Sequence, residues 1–429
     1  MKAEIKTRAI LGLLVALLSA CDGAEVSRDA PEGSGSLLIV GGALRSDNTA
    51  VYRAFIDAIP AQFPEIAIVP VASGRPAYYA QQFTADLRRH GFNGDIRILP
   101  IAMVDDPSTD AEDESLWRSG GGDLALAASL SEVGGIWFVG GDQTRITTAL
   151  YAENNMETPV LQAIRRQLSR GAVIGGTSAG AAIMSRTMIA AGDALSALTM
   201  PPTDQYVGME SQESGQLMLS QGLGFLPVGV VDQHFDRKAR LGRLVRTLAL
   251  VGDTAGRLGF GVDEDTAVLV DLASAEMTVL GAGNLVFADG RGAVFSDGEQ
   301  AFAARGLQLS VLSAGDTYNW RTNRYGLSGG ETQQREAFGY KVIHGAGMAL
   351  GNPRLDQLLG FSLLDNTEAR ELRRITFDEE SGKGVLFRFR QTDESRGYWR
   401  YSSGTKDQYS VVGVELEIAP VSVSVSSRP

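Results

Sequence analysis

The chain has a single cysteine, Cys21, so it can form no internal disulfide and must be held together by its core. It has three histidines, His90, His234 and His344, too scattered to give any metal-ligand spacing. Neither a metal nor an organic cofactor is expected. Basic charge is also short: 39 Lys and Arg stand against 51 Asp and Glu, a net charge of −12, which argues against a nucleic-acid partner. No apolar run is long enough to span a bilayer comfortably. What is plentiful is glycine, 51 of 429 residues, and it gathers at the ends of short apolar runs.

The N-terminus reads as a processing segment. Lys2, Lys6 and Arg8 form a basic start, Ile10 to Leu18 a short apolar stretch, and Leu18-Ser19-Ala20-Cys21 resembles a bacterial lipobox. The expectations are a signal peptide over 1–20, a lipid on Cys21, and a protein that is exported, periplasmic or extracellular, and membrane-anchored. Residues 21–35, rich in Gly, Ser, Pro and charge, read as a flexible tether.

From Ser36 onward, apolar strands alternate with helical spacing. Leu37–Val40, Ile66–Val71, Asp95–Leu99, Gly135–Val139 and Ala172–Ile174 are strand-like, with helical stretches between them. This predicts an α/β fold with a doubly wound, mostly parallel sheet, whose crevice opens at the carboxyl ends of the strands. Leu226–Val231 reads as a further strand, followed by a helix carrying Arg237, Lys238, Arg240, Arg243 and Arg246. Residues 276–314 look like short antiparallel strands. The expected domain layout is a hydrolytic domain over 36–320, a linker or lid over 321–340, a C-terminal α+β extension over 341–420 that is β-rich, and a tail over 421–429.

The stretch Gly171 to Met184 has the strand, tight turn and helix that make Gly-Thr-Ser-Ala-Gly a nucleophile elbow, with Ser178 at its tip. The bland alternative is a glycine-rich turn that packs or holds a phosphate. A serine needs a base. His234, in Asp-Gln-His-Phe after an apolar strand, is placed by this reading on the same sheet edge as Ser178. Glu264 is the first choice to orient the imidazole, with Asp193 and then Glu210 as competitors. For an oxyanion hole the N–H of Ala179 is expected, with a second donor from Gly141 or Asp142.

Four motifs in order, Gly-Gly-Asp-Gln at 140–143, Gly-Thr-Ser-Ala-Gly at 176–180, Asp-Gln-His-Phe at 232–235 with arginines after it, and Asp-Glu-Asp-Thr-Ala at 263–267, resemble cyanophycinase. These are serine peptidases related to aspartyl dipeptidase, with a fold like class I glutamine amidotransferases. The resemblance covers about residues 36 to 320. It implies hydrolysis of cyanophycin, a poly-aspartate carrying arginine on each side chain, to β-Asp-Arg dipeptides through an acyl-enzyme. By position Ser178 is the nucleophile and His234 the base, and Gln143, Asp232, Gln233, Arg240 and Arg243 match residues lining the substrate groove. Two features depart from the pattern. Lys238 stands where the family favours arginine, and Gly41-Gly42-Ala43-Leu44 lacks the family's acidic residue. The alternatives are a peptidase for other aspartyl peptides and a non-catalytic peptide-binding lipoprotein. The partners expected are a peptide or polymer substrate, a membrane reached through Cys21, and a second copy in a homodimer.

Overall fold

The computed structural model describes residues 35–426, apart from 110, 254–255, 299–300, 343, 345–353, 402–406 and 425. The expected signal segment, the lipidation site Cys21 and nearly all of the tether lie outside the described residues.

Five strands run parallel: β1 (Ser36–Val40), β2 (Glu65–Val69), β3 (Ile96–Ile98), β4 (Val133–Phe138) and β5 (Val173–Thr177), side by side as β1-β5-β4-β2-β3. The apolar runs of β1, β2 and β4 follow from burial on both faces. Leu37 and Ile39 join a core with Ile146, Ile164 and Leu168 from helices Gln143–Leu150 and Pro159–Ser169. Leu38 and Val40 point the other way, into a core with Phe55 and Leu87 from helices Thr49–Asp57 and Pro76–Arg89. The fold is thus α/β in this half.

The sheet is less parallel than expected. On its other side β1 pairs antiparallel with Thr266–Asp271, and Glu276–Gly281, Thr317–Asn319 and Arg324–Gly326 extend it to nine strands. The turn between Asp271 and Glu276 is too short for a parallel crossover, so the two strands it joins must pair antiparallel.

A second, ten-stranded sheet is almost wholly antiparallel. Its path includes Val230–Asp232, Leu258–Val262, Asn284–Asp289, the long Ala301–Ser313 and the long Asp407–Ser422. Strands Glu371–Phe377, Lys383–Arg390 and Arg396–Tyr401 are built onto Asp407–Ser422, which gives the C-terminal region its β-rich character. Residues 321–340, read as a linker or lid, contain the short strands Arg324–Gly326 and Gly330–Glu331, and strand pairing continues past Pro420 to Ser422.

The chain crosses between the two sheets several times, and one crossing carries the site. Leu258–Val262 belongs to the second sheet and Thr266–Asp271 to the first, so residues 263–265 cross between them. Strand Val230–Asp232, parallel to Leu258–Val262, delivers the chain to the same junction. His234 therefore arrives from a strand of the second sheet and not, as expected, from a strand of the sheet that carries Ser178.

Candidate active site

Three consecutive carbonyls at the end of β1 collect the site. Val40 O accepts from Ser178 N–H (3.0 Å), Gly41 O from His234 N–H (2.6 Å) and Gly42 O from Asp265 N–H (2.9 Å). One short segment thus fixes the backbone of the serine, the histidine and the turn carrying Glu264, although they come from three different strands.

Ser178 sits between β5 and the short helix Ala179–Ala182 at φ 53° and ψ −109°, a conformation disfavoured for a residue with a side chain. Only a turn this tight brings Gly176 against Gly180: a Cβ on Gly176 would lie 2.4 Å from Gly180 O. His234 and Asp265 also have positive φ, 48° and 54°, so left-handed backbone gathers at this junction.

The side chains form a continuous chain of hydrogen bonds. His234 Nε2 lies 2.9 Å from Ser178 Oγ, and His234 Nδ1 lies 2.6 Å from Glu264 Oε1. A carboxylate only accepts, so Nδ1 carries the proton and Nε2 is left to accept from the serine hydroxyl. Of the three candidate acids, Glu264 is the one brought to the histidine. Asp193 caps helix Ala194–Thr199 instead, accepting from Ser196 N–H (2.8 Å) and Gly215 N–H (2.7 Å). Glu210 is exposed on a 3-10 turn.

Burial, with Lys238 and Arg240 nearby, pushes the His234 imidazole below its ordinary pKa, against the pull of Glu264. Burial works against ionisation of Glu264, but the His234 and Arg237 hydrogen bonds prevail and hold its carboxyl below the usual value. A neutral histidine beside an ionised glutamate is the state a general base needs.

Of the expected oxyanion donors, the N–H groups of Ala179 and Gly141 have no hydrogen-bond partner among the described residues. Asp142 does not share that role. Its N–H donates to Ala72 O (2.9 Å), and its carboxylate caps helix Gln143–Leu150 through Thr144 N–H (2.9 Å).

The groove residues are placed deeper than expected. Asp232 and Arg243 are each 1% exposed and form a bidentate pair, Nε to Oδ2 at 2.8 Å and Nη2 to Oδ1 at 2.6 Å. Arg243 Nη1 donates to Gly192 O (2.6 Å) and Gln212 O (3.2 Å). Arg240 Nη1 donates to Gln233 O (2.7 Å) and Nη2 to Gln212 O (3.2 Å). Burial, with Arg243 close by, pushes Arg240 down to about 10. Arg237, Lys238 and Arg240 precede the helix, which spans Leu241–Leu250, because the chain reverses through positive φ at His234 and at Ala239 (φ 50°). Arg240, Arg243 and Arg246 are all buried. Gln143 Nε2 is tied to Ile189 O (3.0 Å) and Ala190 O (3.1 Å), while Gln143 Oε1 and Gln233 Oε1 are buried without a partner among the described residues.

Four supporting residues escaped the sequence reading. Arg237 Nη1 donates to Glu264 Oε1 (3.2 Å), and Asp236 Oδ1 accepts from Glu264 N–H (3.1 Å). They lie two and three residues after His234, and Arg237 reads only as one of the arginines that follow it. Gln212 lends its carbonyl to both buried arginines, and Glu213 pairs with Lys238. They lie in a polar loop with no periodicity to mark them. His90 and His344 stand elsewhere: His90 Nε2 lies 2.9 Å from Ser46 O, and His344 Nδ1 accepts from Arg373 N–H (3.2 Å).

Comparison with known proteins adds the following. The profile of peptidase family S51 matches residues 37–278. A cyanophycinase of Synechococcus elongatus is 33% identical over 265 residues, covering 60% of this chain and 70% of its own. Cyanophycinases of Geminocystis herdmanii and Trichormus variabilis are each 29% identical, covering 67% and 66% of this chain and 95% and 85% of their own. A solved peptidase from an acI-B1 Actinobacterium is 18% identical, covers 67% of this chain and 98% of its own, and has a TM-score of 0.44.

Proposed function

The chain belongs to peptidase family S51 and is a serine-type peptidase, and from that premise we propose that it is an exported hydrolase of cyanophycin, releasing β-Asp-Arg dipeptides through an acyl-enzyme on Ser178. The observation that carries this reading is the chain Ser178 Oγ–His234 Nε2 (2.9 Å) and His234 Nδ1–Glu264 Oε1 (2.6 Å). In it, the turn at Ser178 acts as a nucleophile elbow within a glutamine amidotransferase-like fold.

The mechanism follows from the geometry. His234 takes the hydroxyl proton as Ser178 Oγ attacks the scissile carbonyl carbon. Glu264 steadies the imidazolium that forms, and Arg237 and Asp236 hold Glu264 in place. The N–H groups of Ala179 and Gly141 receive the developing oxyanion. His234 then protonates the leaving amine, and water repeats the sequence on the ester. The bare carbonyl oxygens Gln143 Oε1 and Gln233 Oε1 supply acceptors for the N–H groups of an arginine-bearing substrate. The buried Asp232–Arg243 pair and Arg240 shape the floor beneath them.

One observation favours a second reading, a peptidase for other aspartyl peptides: Lys238, in place of the family's arginine, is paired with Glu213 and offers no planar fork. Comparison of kcat/KM on β-Asp-Arg polymer and on β-aspartyl peptides lacking arginine separates the two. A loss of about 100-fold or more without arginine supports the first. Equal rates support the second.

The depressed pKa of His234 sets the pH dependence. The base is lost as the imidazole protonates, so activity falls with falling pH only below the ordinary histidine value of about 6.5. Lys238→Gln removes a cation that disfavours the imidazolium, so the acid limb of kcat/KM moves to higher pH, while Lys238→Arg leaves it in place. An unmoved limb in Lys238→Gln contradicts this.

Gly42 has φ +103°, and a Cβ there would lie 2.3 Å from His234 Cε1. Gly42→Ala therefore displaces the imidazole and lowers kcat about 100-fold or more with the far-UV spectrum retained. A kcat near wild type would show that the ring does not need this position.

Export and anchoring rest on the basic start, the apolar stretch and the lipobox-like residues before Cys21. Cys21→Ser is expected to move the protein from the membrane to the soluble fraction on cell fractionation. An unchanged distribution removes the anchor from the account.

A further inference from the structure

A cavity of about 500 Å³ opens where helix Ala194–Thr199, the turn after His234, helix Leu241–Leu250 and the C-terminal strands meet. That size suits a small molecule. Its walls are largely apolar, among them Phe235, Leu241, Val311, Leu358, Phe387 and Phe389.

Two buried carboxylates also line it, Asp263 at 2% and Asp356 at 1% exposure. Each uses one oxygen. Asp263 Oδ2 accepts from Asn284 N–H (2.9 Å) and Nδ2 (3.3 Å), and Asp356 Oδ2 accepts from Arg354 Nη2 (3.1 Å) and Gln357 Nε2 (3.3 Å). The Oδ1 atoms of both have no partner among the described residues. Bare carboxylate oxygens in a buried site are costly unless a donor fills them. Burial, with Asp236 close by, pushes the Asp263 carboxyl up to about 7, a shift that a cation beside it would reverse.

The charges lining the cavity are not balanced. With every carboxyl ionised, Asp236, Asp263 and Asp356 face Arg354 and Arg374, so one negative charge is left over, and burial with that excess holds the Asp263 carboxyl up until a cation arrives. Neither arginine reaches both bare oxygens: Arg354 is on Asp356 Oδ2, and Arg374 Nη1 donates to Arg373 O (2.9 Å).

The geometry points to a binding site for one organic monocation, a guanidinium, amidinium or ammonium group carried on an apolar body. The cation meets the two Oδ1 atoms, and the body lies among the phenylalanine rings, which also favour a cation over their faces. Residues 354–389 supply much of the wall, Asp356 included, and lie beyond the 37–278 segment matched by the family profile, so the C-terminal region completes a site that Asp263 and Phe235 begin. It nevertheless touches the hydrolytic site. Phe235 and Asp236 follow His234, Asp263 precedes Glu264, and Asp236 Oδ1 holds Glu264 N–H at 3.1 Å. An occupant braces the two segments that carry the base and its partner. The inference does not depend on which peptide the enzyme cleaves.

Benzamidine is the probe, and neutral benzamide its control, in calorimetric titration and in a crystal structure of the full chain. The expected result is one benzamidine in the cavity with its amidinium on Asp263 Oδ1 and Asp356 Oδ1, and binding of benzamide at least about tenfold weaker. Asp356→Asn weakens benzamidine by about tenfold or more. Ile375→Trp does the same by filling the mouth from a lining position that is 37% exposed, and so covers the case in which Asp356→Asn fails to fold. Equal affinity for benzamide, benzamidine found only in the Ser178 cleft, binding at crystal concentration only, or a cavity filled by the chain's own residues each overturns the site.

Discussion

Ser178→Ala lowers the rate of dipeptide release by about 10,000-fold or more and leaves the fold intact. The side chain lost is one hydroxyl, half-buried and bonded only to His234 Nε2 (2.9 Å), so little packing goes with it. The backbone at φ 53° is no harder for alanine than for serine. On the proposed mechanism, what disappears is the atom that forms the acyl bond. Residual rate comes from the oxyanion donors and from binding. Because serine and histidine act as one unit, His234→Ala costs a similar factor, and the double variant costs little more than either alone. Rates of product release by the three variants, with thermal unfolding of each, check this. Additive losses would mean that Ser178 and His234 work separately.

Arg243→Ala destabilises the protein by about 3–5 kcal/mol and reduces activity with it. Arg243 is buried and donates to both oxygens of Asp232 and to the carbonyls of Gly192 and Gln212. Burial alone would keep Asp232 neutral, but the Arg243 pairing overcomes it and holds the carboxyl below its usual value. Without the guanidinium a carboxylate is left buried, the Gly192 carbonyl loses its donor, and the Gln212 carbonyl keeps only Arg240. Asp232→Asn combined with Arg243→Met removes both charges and recovers part of the loss, so the two changes together cost less than their sum. Denaturant unfolding of the single and double variants gives that coupling. Since Asp232 immediately precedes Gln233 and His234, stability recovered in the double variant should exceed activity recovered. A single Arg243→Ala variant as stable as the wild type would contradict the role of this pair.

The parallel half of the first sheet was legible because burial on both faces leaves unbroken apolar runs, as in Leu37–Val40 and Ile136–Phe138. Ser178 was legible for a local reason: a strand, a glycine-rich turn and small residues occur within a few positions. His234 was found by its place after an apolar run, yet that run belongs to the second sheet, because strand pairing is non-local and nothing near Val230 states its partner. Closing an apolar strand ranks Glu264 ahead of Asp193 and Glu210, and the fold brings it to His234 while Asp193 caps Ser196 N–H. Arg240 and Arg243 match a substrate groove by resemblance, but their burial was not legible, since the carboxylate that pairs with Arg243 and the Gln212 carbonyl that holds Arg240 and Arg243 leave no periodic trace. The junction at Val40, Gly41 and Gly42 showed only as a glycine pair after a strand. Its meaning lies in three carbonyls that gather residues 178, 234 and 265.

The most direct measurement is digestion of purified cyanophycin by the isolated protein, with products identified by mass spectrometry. The account predicts that β-Asp-Arg dipeptide accumulates with the wild-type chain and is absent with Ser178→Ala. Intact polymer with the wild-type chain, or the same dipeptide at the same rate from Ser178→Ala, would contradict it.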